Sequence, residues 1–382
     1  MVRKLRRQEK YRQRGCACGM SRRGQLLISA ILLVACLPSF SQEKHKIIID
    51  QDAAGPGGTD QQSILVLVQS PQTEVMGITV VTGDQWLKAE LAHTLRMLEL
   101  IGRTDIPVVP GAENPLVRRK EETELLEQSY GRFAWLGAWT PRLYHPPDQL
   151  GDMVEGLPKT EPAKEDAAHF LIRMVHKFPN QVTIYEGGPM TNLALAIAAD
   201  PGFVGLAKEL VFMGASLSPL TSDPEFINTP RREFNLWFDP EAAHVVLQAG
   251  WKKIVCTPVD ISVKTRLTQE LLNQIKAGTS PAARYVGQYG RLRGEYNYLW
   301  DELAAAAWLD PSLITKKDTR FMDTDLARGA EYGNTLTWTE IDRPRNVGQP
   351  VEIQLDLDAE KFYRLFRDLL MAPTPGGDLN LN

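Results

Sequence analysis

Cysteine is scarce in this 382-residue chain, and its placement excludes more than its number. Cys16, Cys18 and Cys36 all fall within the first 36 residues, which leaves Cys256 alone in the body. An internal disulfide is therefore excluded there, as is a cysteine-based zinc site. Cys256 follows the apolar Ile254-Val255 and reads as a core residue rather than a nucleophile. Long apolar runs are also missing. The longest, Gln25–Cys36, is too short to cross a bilayer. Positive charge is absent from the body as a surplus. Residues 1–23 carry nine Lys/Arg and one acid, a net of +8, so the rest holds −12 against −4 for the whole chain. A body that acidic is a poor partner for a phosphate backbone, so nucleic acid is not expected as a ligand. A nucleotide-cofactor fold is not indicated either, because Gly55, Gly57 and Gly58 do not make G-x-G-x-x-G.

What is present begins with a leader. Basic residues, the short apolar run and then small residues follow one another in the order of a signal peptide over residues 1–41. Ser39-Phe40-Ser41 offers a small-x-small cleavage site. Leu33-Val34-Ala35-Cys36 also fits a bacterial lipobox, which would place a lipid anchor on Cys36. Met20-Ser-Arg-Arg would open a leader of ordinary length. The expectation is an exported protein, periplasmic or secreted, that meets a membrane only through this leader or the anchor.

With 43% hydrophobic and 24% charged residues, the body has ordinary globular composition. Short apolar runs (Lys46–Asp50, Val75–Val81, Ile106–Val109, Val182–Tyr185, Glu209–Met213, Lys253–Cys256) alternate with helical patterns. Among the latter are Gln85–Ile101, Thr191–Ala199 and Pro240–Ala249. Over Asp166–Phe178, Phe170, Met174 and Phe178 recur every four residues. Such alternation predicts an α/β fold with a Rossmann-like open, mostly parallel sheet and helices on both faces. Val351–Leu357 and Ala359–Leu370 supply a last strand and helix. Residues 44–372 read as one domain, 112–162 as an insertion rich in Pro, charge and aromatics, and 373–382 as a frayed tail. The insertion is either a lid over the site or a decorative loop.

Ligands of such sheets sit at the carboxyl ends of the strands. The first strand ends in Asp50-Gln-Asp52-Ala-Ala-Gly-Pro-Gly-Gly-Thr59-Asp60, three carboxylates in a Gly-rich strand-to-helix loop. A single Asp there could cap the helix or accept backbone amides. Asp52 and Asp60 together need a cation or a shared proton, and oxygen-only ligands favour Ca2+ or Mg2+. Other strand ends carry Thr82-Gly83-Asp84, Glu186-Gly187-Gly188-Pro189-Met190-Thr191-Asn192, and Met213-Gly214 followed by Asn228 and Glu233-Phe-Asn235. Trp300-Asp301-Glu-Leu opens a late apolar helix.

In that order the motifs IIIDQD, GITVVTGD, PVVPGAENPLVR, GGPMTNLALA, MGA, EFNLWFDPEAA and WDELAAAAWL resemble the nucleoside hydrolase family, from about residue 46 to 370. The resemblance implies a calcium-dependent N-ribohydrolase that releases base and ribose from a small-molecule nucleoside and assembles as a dimer or tetramer. It implies Asp52, Asp60, Asp301 and the Gly187 carbonyl as metal ligands, with Asp52 also taking a proton from the attacking water. Glu233, Asn235, Asn228 and Met213 would line the sugar site.

The chain departs from the family at two points. Thr59 stands where the family has an acid that touches the ribose 2′-hydroxyl. Trp300 stands where inosine-uridine-type members resemble one another in a base-protonating His. Purine-specific members place a Trp there, and Asp84 matches their Asp. A purine substrate is therefore expected, stacked on Trp300 and on Trp135 or Trp139. No histidine sits at a motif position. His145, in the insertion, is the one to test as an acid.

Two rivals fit parts of the pattern. Asp50-Gln-Asp52 after a strand suits a haloacid-dehalogenase-type phosphatase, but Ala54 replaces its usual Thr or Val, and EFN and WDE go unexplained. A nucleoside- or sugar-binding protein that has lost catalysis would account for Thr59.

Overall fold

The protein is described by a computed structural model covering residues 44–141 and 145–376. The leader with Cys36 and its cleavage sites, and the end of the tail, lie outside the described residues.

Eleven strands form among the described residues: β1 (His45–Gln51), β2 (Thr73–Val80), β3 (Val108–Pro110), β4 (Val182–Glu186), β5 (Glu209–Met213), β6 (Ile254–Thr257), β7 (Arg266–Thr268), β8 (Tyr296–Tyr298), β9 (Ile314–Thr324), β10 (Thr335–Trp338) and β11 (Pro350–Leu357). Nine make one sheet in the order β10-β9-β11-β6-β5-β4-β1-β2-β3. From β3 to β11 every pairing is parallel. β9 runs antiparallel to both β10 and β11. The predicted strands fall where the apolar runs place them. The antiparallel edge was not expected, because Ile314–Thr324 has exposed charges over half its length and no continuous apolar signal. β7 and β8 pair as a separate antiparallel ribbon.

The order 3-2-1-4-5-6 reverses direction between β1 and β4, the topological switch point where open α/β sheets open a crevice. There Asp50 pairs across the ladder with Glu186. The loops that leave these two strands carry Asp52 and Gly187.

Apolar side chains cover both faces of the sheet. One face packs against the helices Thr59–Gln69, Trp300–Leu309 and Ala359–Met371, the other against Ala167–Lys177 and Thr191–Ala199. Ile47, Ile48 and Ile49 of β1 are fully buried, as expected for a central strand covered on both sides. The Thr59–Gln69 helix is buried almost all round, which explains its unbroken Ile-Leu-Val-Leu-Val run. It lies against Trp300–Leu309, whose four consecutive alanines leave room for close approach.

The insertion is structured. It contains a helix, Lys120–Tyr130, and a 3-10 turn, Gly137–Trp139. Leu136, Ala138 and Trp139 are buried with Trp86, Trp237 and Phe238 in a third apolar cluster. Cys256 is buried as expected, its thiol 3.3 Å from the Gly214 carbonyl.

Candidate active site

Two helices begin at the switch point, and each brings an acid to its first turn. Asp60 opens one and Asp301 the other, where the partial positive charge of a helix start favours a carboxylate. The first helix has no side-chain cap, so Asp60 is not spent on capping. Its carboxyl is hydrogen-bonded to that of Asp301. The Tyr185 hydroxyl donates to the Asp301 backbone carbonyl at 2.8 Å, which ties the second helix start to β4.

Asp52 reaches the same place from β1. Its Oδ2 accepts the Asp84 amide at 3.0 Å. Two glycines permit this approach: a Cβ on Gly83 would lie 2.1 Å from Asp52 Oδ2, and one on Gly188 would lie 2.9 Å from the Asp52 amide nitrogen. Asp84 in turn accepts the Trp135 indole N–H at 2.5 Å, and Ala138 N–H donates to the Gly83 carbonyl at 2.8 Å. The insertion therefore closes onto the Gly83-Asp84 turn. The Arg293 guanidinium lies 4.7 Å from the Trp135 ring.

The Gly187 carbonyl accepts from Asn235 Nδ2 at 3.2 Å and Gln51 Nε2 at 3.3 Å. Asn235 also donates to the Met213 carbonyl at 3.2 Å. Glu233 caps the short helix Phe234–Phe238, accepting the amides of Asn235, Leu236 and Ala215 at 2.8–3.1 Å. Burial raises its carboxyl to about 7 against those three bonds. Trp300 is half-buried, 4.7 Å from Tyr298 and 5.9 Å from Phe226 by ring centre.

The structure thus groups Asp52, Asp60, Asp84, Gly187, Met213, Glu233, Asn235, Trp300 and Asp301. Thr59 lies at its edge with its hydroxyl turned to Glu302 at 2.5 Å. Asn228 is exposed at the last position of the Pro224–Asn228 turn. His145 is half-buried, with Nδ1 2.9 Å from the Pro146 carbonyl, and Trp139 packs on Phe238 rather than on Trp300.

Burial holds Asp52, Asp60 and Asp301 well above the usual carboxylate range, and their mutual repulsion adds to the effect. Asp84 is raised by burial and eased by Trp135 and Arg293. Uncompensated buried anions cost several kcal/mol each, so these groups retain protons or receive a cation. Their chemistry suits a hard cation. The donors are all oxygens, and Asp301 Oδ1 is buried without a partner. As placed, with Asp52 on an amide and Asp60 on Asp301, no three His, Cys, Asp or Glu side chains among the described residues converge as a metal-binding group.

Several further carboxylates surround the site without a role implied by the resemblance. Glu302 directly follows Asp301. Glu186 and Asp50 form a buried pair behind the Gly187 turn, where Asp50 also accepts Asn192 at 2.9 Å. Glu90 holds the Gln85 amide at 2.7 Å. Only adjacency to a strand end could have found Glu186, and nothing local marks Glu90.

Comparison with known proteins gives the family and the fold. The sequence profile of the family described as inosine-uridine preferring nucleoside hydrolase matches residues 47–364. The chain is 27% identical to the inosine-uridine preferring nucleoside hydrolase of Leishmania major, over 85% of this chain and 97% of that one. It is 26% identical to probable uridine nucleosidase 1 of Oryza sativa subsp. japonica, over 86% and 98%. The solved purine-preferring ribonucleoside hydrolase from Gardnerella vaginalis shares the fold, with a TM-score of 0.69, 21% identity and coverage of 85% and 98%. The chain belongs to the inosine-uridine preferring nucleoside hydrolase family and is a glycosidase of the nucleoside N-glycosidic bond.

Proposed function

We propose that the chain is an exported, calcium-dependent hydrolase of purine ribonucleosides. The observation that carries the reading is the convergence of buried Asp52, Asp60 and Asp301 at the switch point of the sheet, three acids raised by burial and mutual repulsion, with Arg293 acting on Asp60 as a partial offset. Asp52, Asp60, Asp301 and the Gly187 carbonyl would hold the ion, which when bound lowers the pKa of a coordinated water.

The chain's own residues do the rest. Asp52 accepts the proton of the attacking water. Glu233 and Asn235, fixed by backbone bonds before substrate arrives, present a carboxylate and an amide to the sugar hydroxyls. This orients the anomeric carbon as it becomes oxocarbenium-like. Trp300 and the Asp84-bound Trp135 supply flat apolar surface for the base, and their size supports a purine over a pyrimidine. Similar proteins carry both uridine and purine preferences in their names, so this chain's indoles are the argument.

Reducing-sugar release from inosine, guanosine, adenosine, uridine and cytidine, with and without chelator, tests the reading. Purine release that chelator abolishes and calcium restores is expected; no release from any nucleoside with calcium present overturns it. A binding protein without turnover is the second reading. It is favoured by Thr59, whose hydroxyl is already engaged by Glu302, and it predicts calorimetric binding of nucleoside with no release of sugar. The basic-apolar leader supports export, which N-terminal sequencing of the mature protein would test, distinguishing cleavage after Ser41 from a lipidated Cys36. A homo-oligomer is part of the proposal and is tested by sedimentation.

A further inference from the structure

The insertion meets the site at two places. Trp135 and Ala138 close on the Gly83-Asp84 turn, and Glu155, near the insertion's far end, reaches a second loop. That loop, residues 53–58, carries the chain from Asp52 to the helix that Asp60 opens. Its geometry sets how far apart those two acids stand.

The helix Leu87–Ile101 makes the connection. His93, Arg96 and Glu99 follow one another at one-turn spacing, so they share one of its faces. All three grip the insertion. His93 Nδ1 is bonded to Glu155 Oε1. Arg96 Nε donates to the Glu155 carbonyl at 2.9 Å. Glu99 accepts the amides of Lys159 and Thr160 at 2.5 and 2.7 Å. His93 also packs on the loop. A Cβ on Gly55 would lie 2.5 Å from His93 Cγ and 2.8 Å from Gln61 Nε2, so ring, amide and loop backbone are in contact. Gln61 follows Asp60, and its Oε1 accepts the Gly57 amide at 2.8 Å and the Tyr285 hydroxyl. The loop is thus gripped by His93, Gln61 and Tyr285, none of them a ligand of the expected ion.

The Glu155 side chain is wholly buried, and that of His93 is 7% exposed. A buried carboxylate is costly without a partner, and the imidazole supplies one. Glu155 Oε2 and Gln61 Nε2, which both neighbour His93, have no hydrogen-bond partner among the described residues. The imidazole is therefore the join between insertion and loop.

We propose that His93 and Glu155 are positioning residues: through the imidazole the insertion braces residues 53–58, and so fixes the separation of Asp52 and Asp60 that the ion meets. The proposal rests on the calcium reading of the site. With the brace, the ligands are placed before the ion arrives. Without it, the ion must order the loop itself and binds less tightly.

The test is calorimetric calcium titration of the full-length protein and of Glu155→Gln, His93→Gln and the double variant. Glu155→Gln keeps the size of the side chain and removes its charge. Each single change is expected to raise the calcium Kd by about 10-fold, the lower end for groups that act through others on metal ligands. The double variant should bind no more weakly than either single one, because the two residues act as a unit. Glu99→Gln, which loosens the insertion at Lys159 and Thr160 away from the loop, should leave the Kd unchanged. Hydrogen exchange of the metal-free proteins should be faster over residues 53–62 in the His93 and Glu155 variants alone. An unchanged Kd beside a lowered melting temperature, or equal weakening by Glu99→Gln, overturns the positioning role. If the wild-type protein takes up no calcium, the calcium reading itself fails. The exchange measurement then decides the brace by itself, and unchanged exchange over residues 53–62 overturns it.

Discussion

Asp52 is the residue at which the chemistry of this site is most concentrated. It is buried, repelled by Asp84, Asp60, Glu90 and Asp301, and held by one amide. Asp52→Ala should lower kcat by several orders of magnitude while leaving the fold intact, as measured by sugar release and circular dichroism. In the proposed reading Trp300 stacks on the base and sets the preference for a purine. Trp300→Ala should reduce kcat/KM on inosine by about 10-fold or more, since an aromatic contact is worth about 0.5–1.5 kcal/mol beyond its buried area, and should spare uridine by comparison. At this scale the positions of Asp52, Gly187 and Met213 were legible because each lies at the end of a strand, whereas Glu233 lies at a helix start twenty residues past β5. The sequence was not legible for Thr59. Its substitution is plain in the sequence, but its engagement by Glu302, 243 positions away, is a tertiary fact.

Elements position these residues through one contact above others, that of the Thr59–Gln69 and Trp300–Leu309 helices. Ala304, Ala305 and Ala306 are fully buried in the second helix, so it has no slack for a larger side chain. Ala304→Leu is expected to cost about 1–3 kcal/mol by overpacking and, by moving Asp301 away from Asp60, to weaken calcium binding. Denaturant melts and calcium titration check the two effects separately. The strand and helix pattern could be read because period-2 and period-3.6 runs are local. The β9–β10 edge could not, because β9 alternates Lys, Asp and Arg with Thr and buries only its last four residues. Trp135 and Ala138 of the insertion bind the Gly83-Asp84 turn. Aromatic composition hinted at burial, but it did not say against what.

For the whole molecule, the excess of buried acid makes stability depend on pH in an unusual direction. Burial raises Glu233 to about 7 and Asp239 to about 6, above the ordinary values of 4.5 and 3.8. Folding therefore favours their protonated forms. That contribution is complete below pH about 4 and is lost as pH rises through 6 to 7. The metal-free protein should melt at a higher temperature at pH 5 than at pH 8, the reverse of ordinary acid denaturation. Calcium at about 100 times its Kd should add about 2.7 kcal/mol at pH 8, read by calorimetry with and without chelator. A melting temperature that falls between pH 8 and pH 5 in the metal-free protein would contradict this picture. A mostly parallel sheet with helices on both faces followed from alternation alone, while the strand order, the switch point and the direction of this pH response needed the structure.

The glycines around Asp52 give the molecule a further property. Gly83, Gly187 and Gly188 hold no reactive group, yet a methyl at any of them would fall within 3 Å of Asp52 or Gln51. In a library of random variants selected for growth on a nucleoside, the most intolerant positions would include these three beside the acids. The catalytic centre would be outlined as much by where evolution can add nothing as by what it must keep.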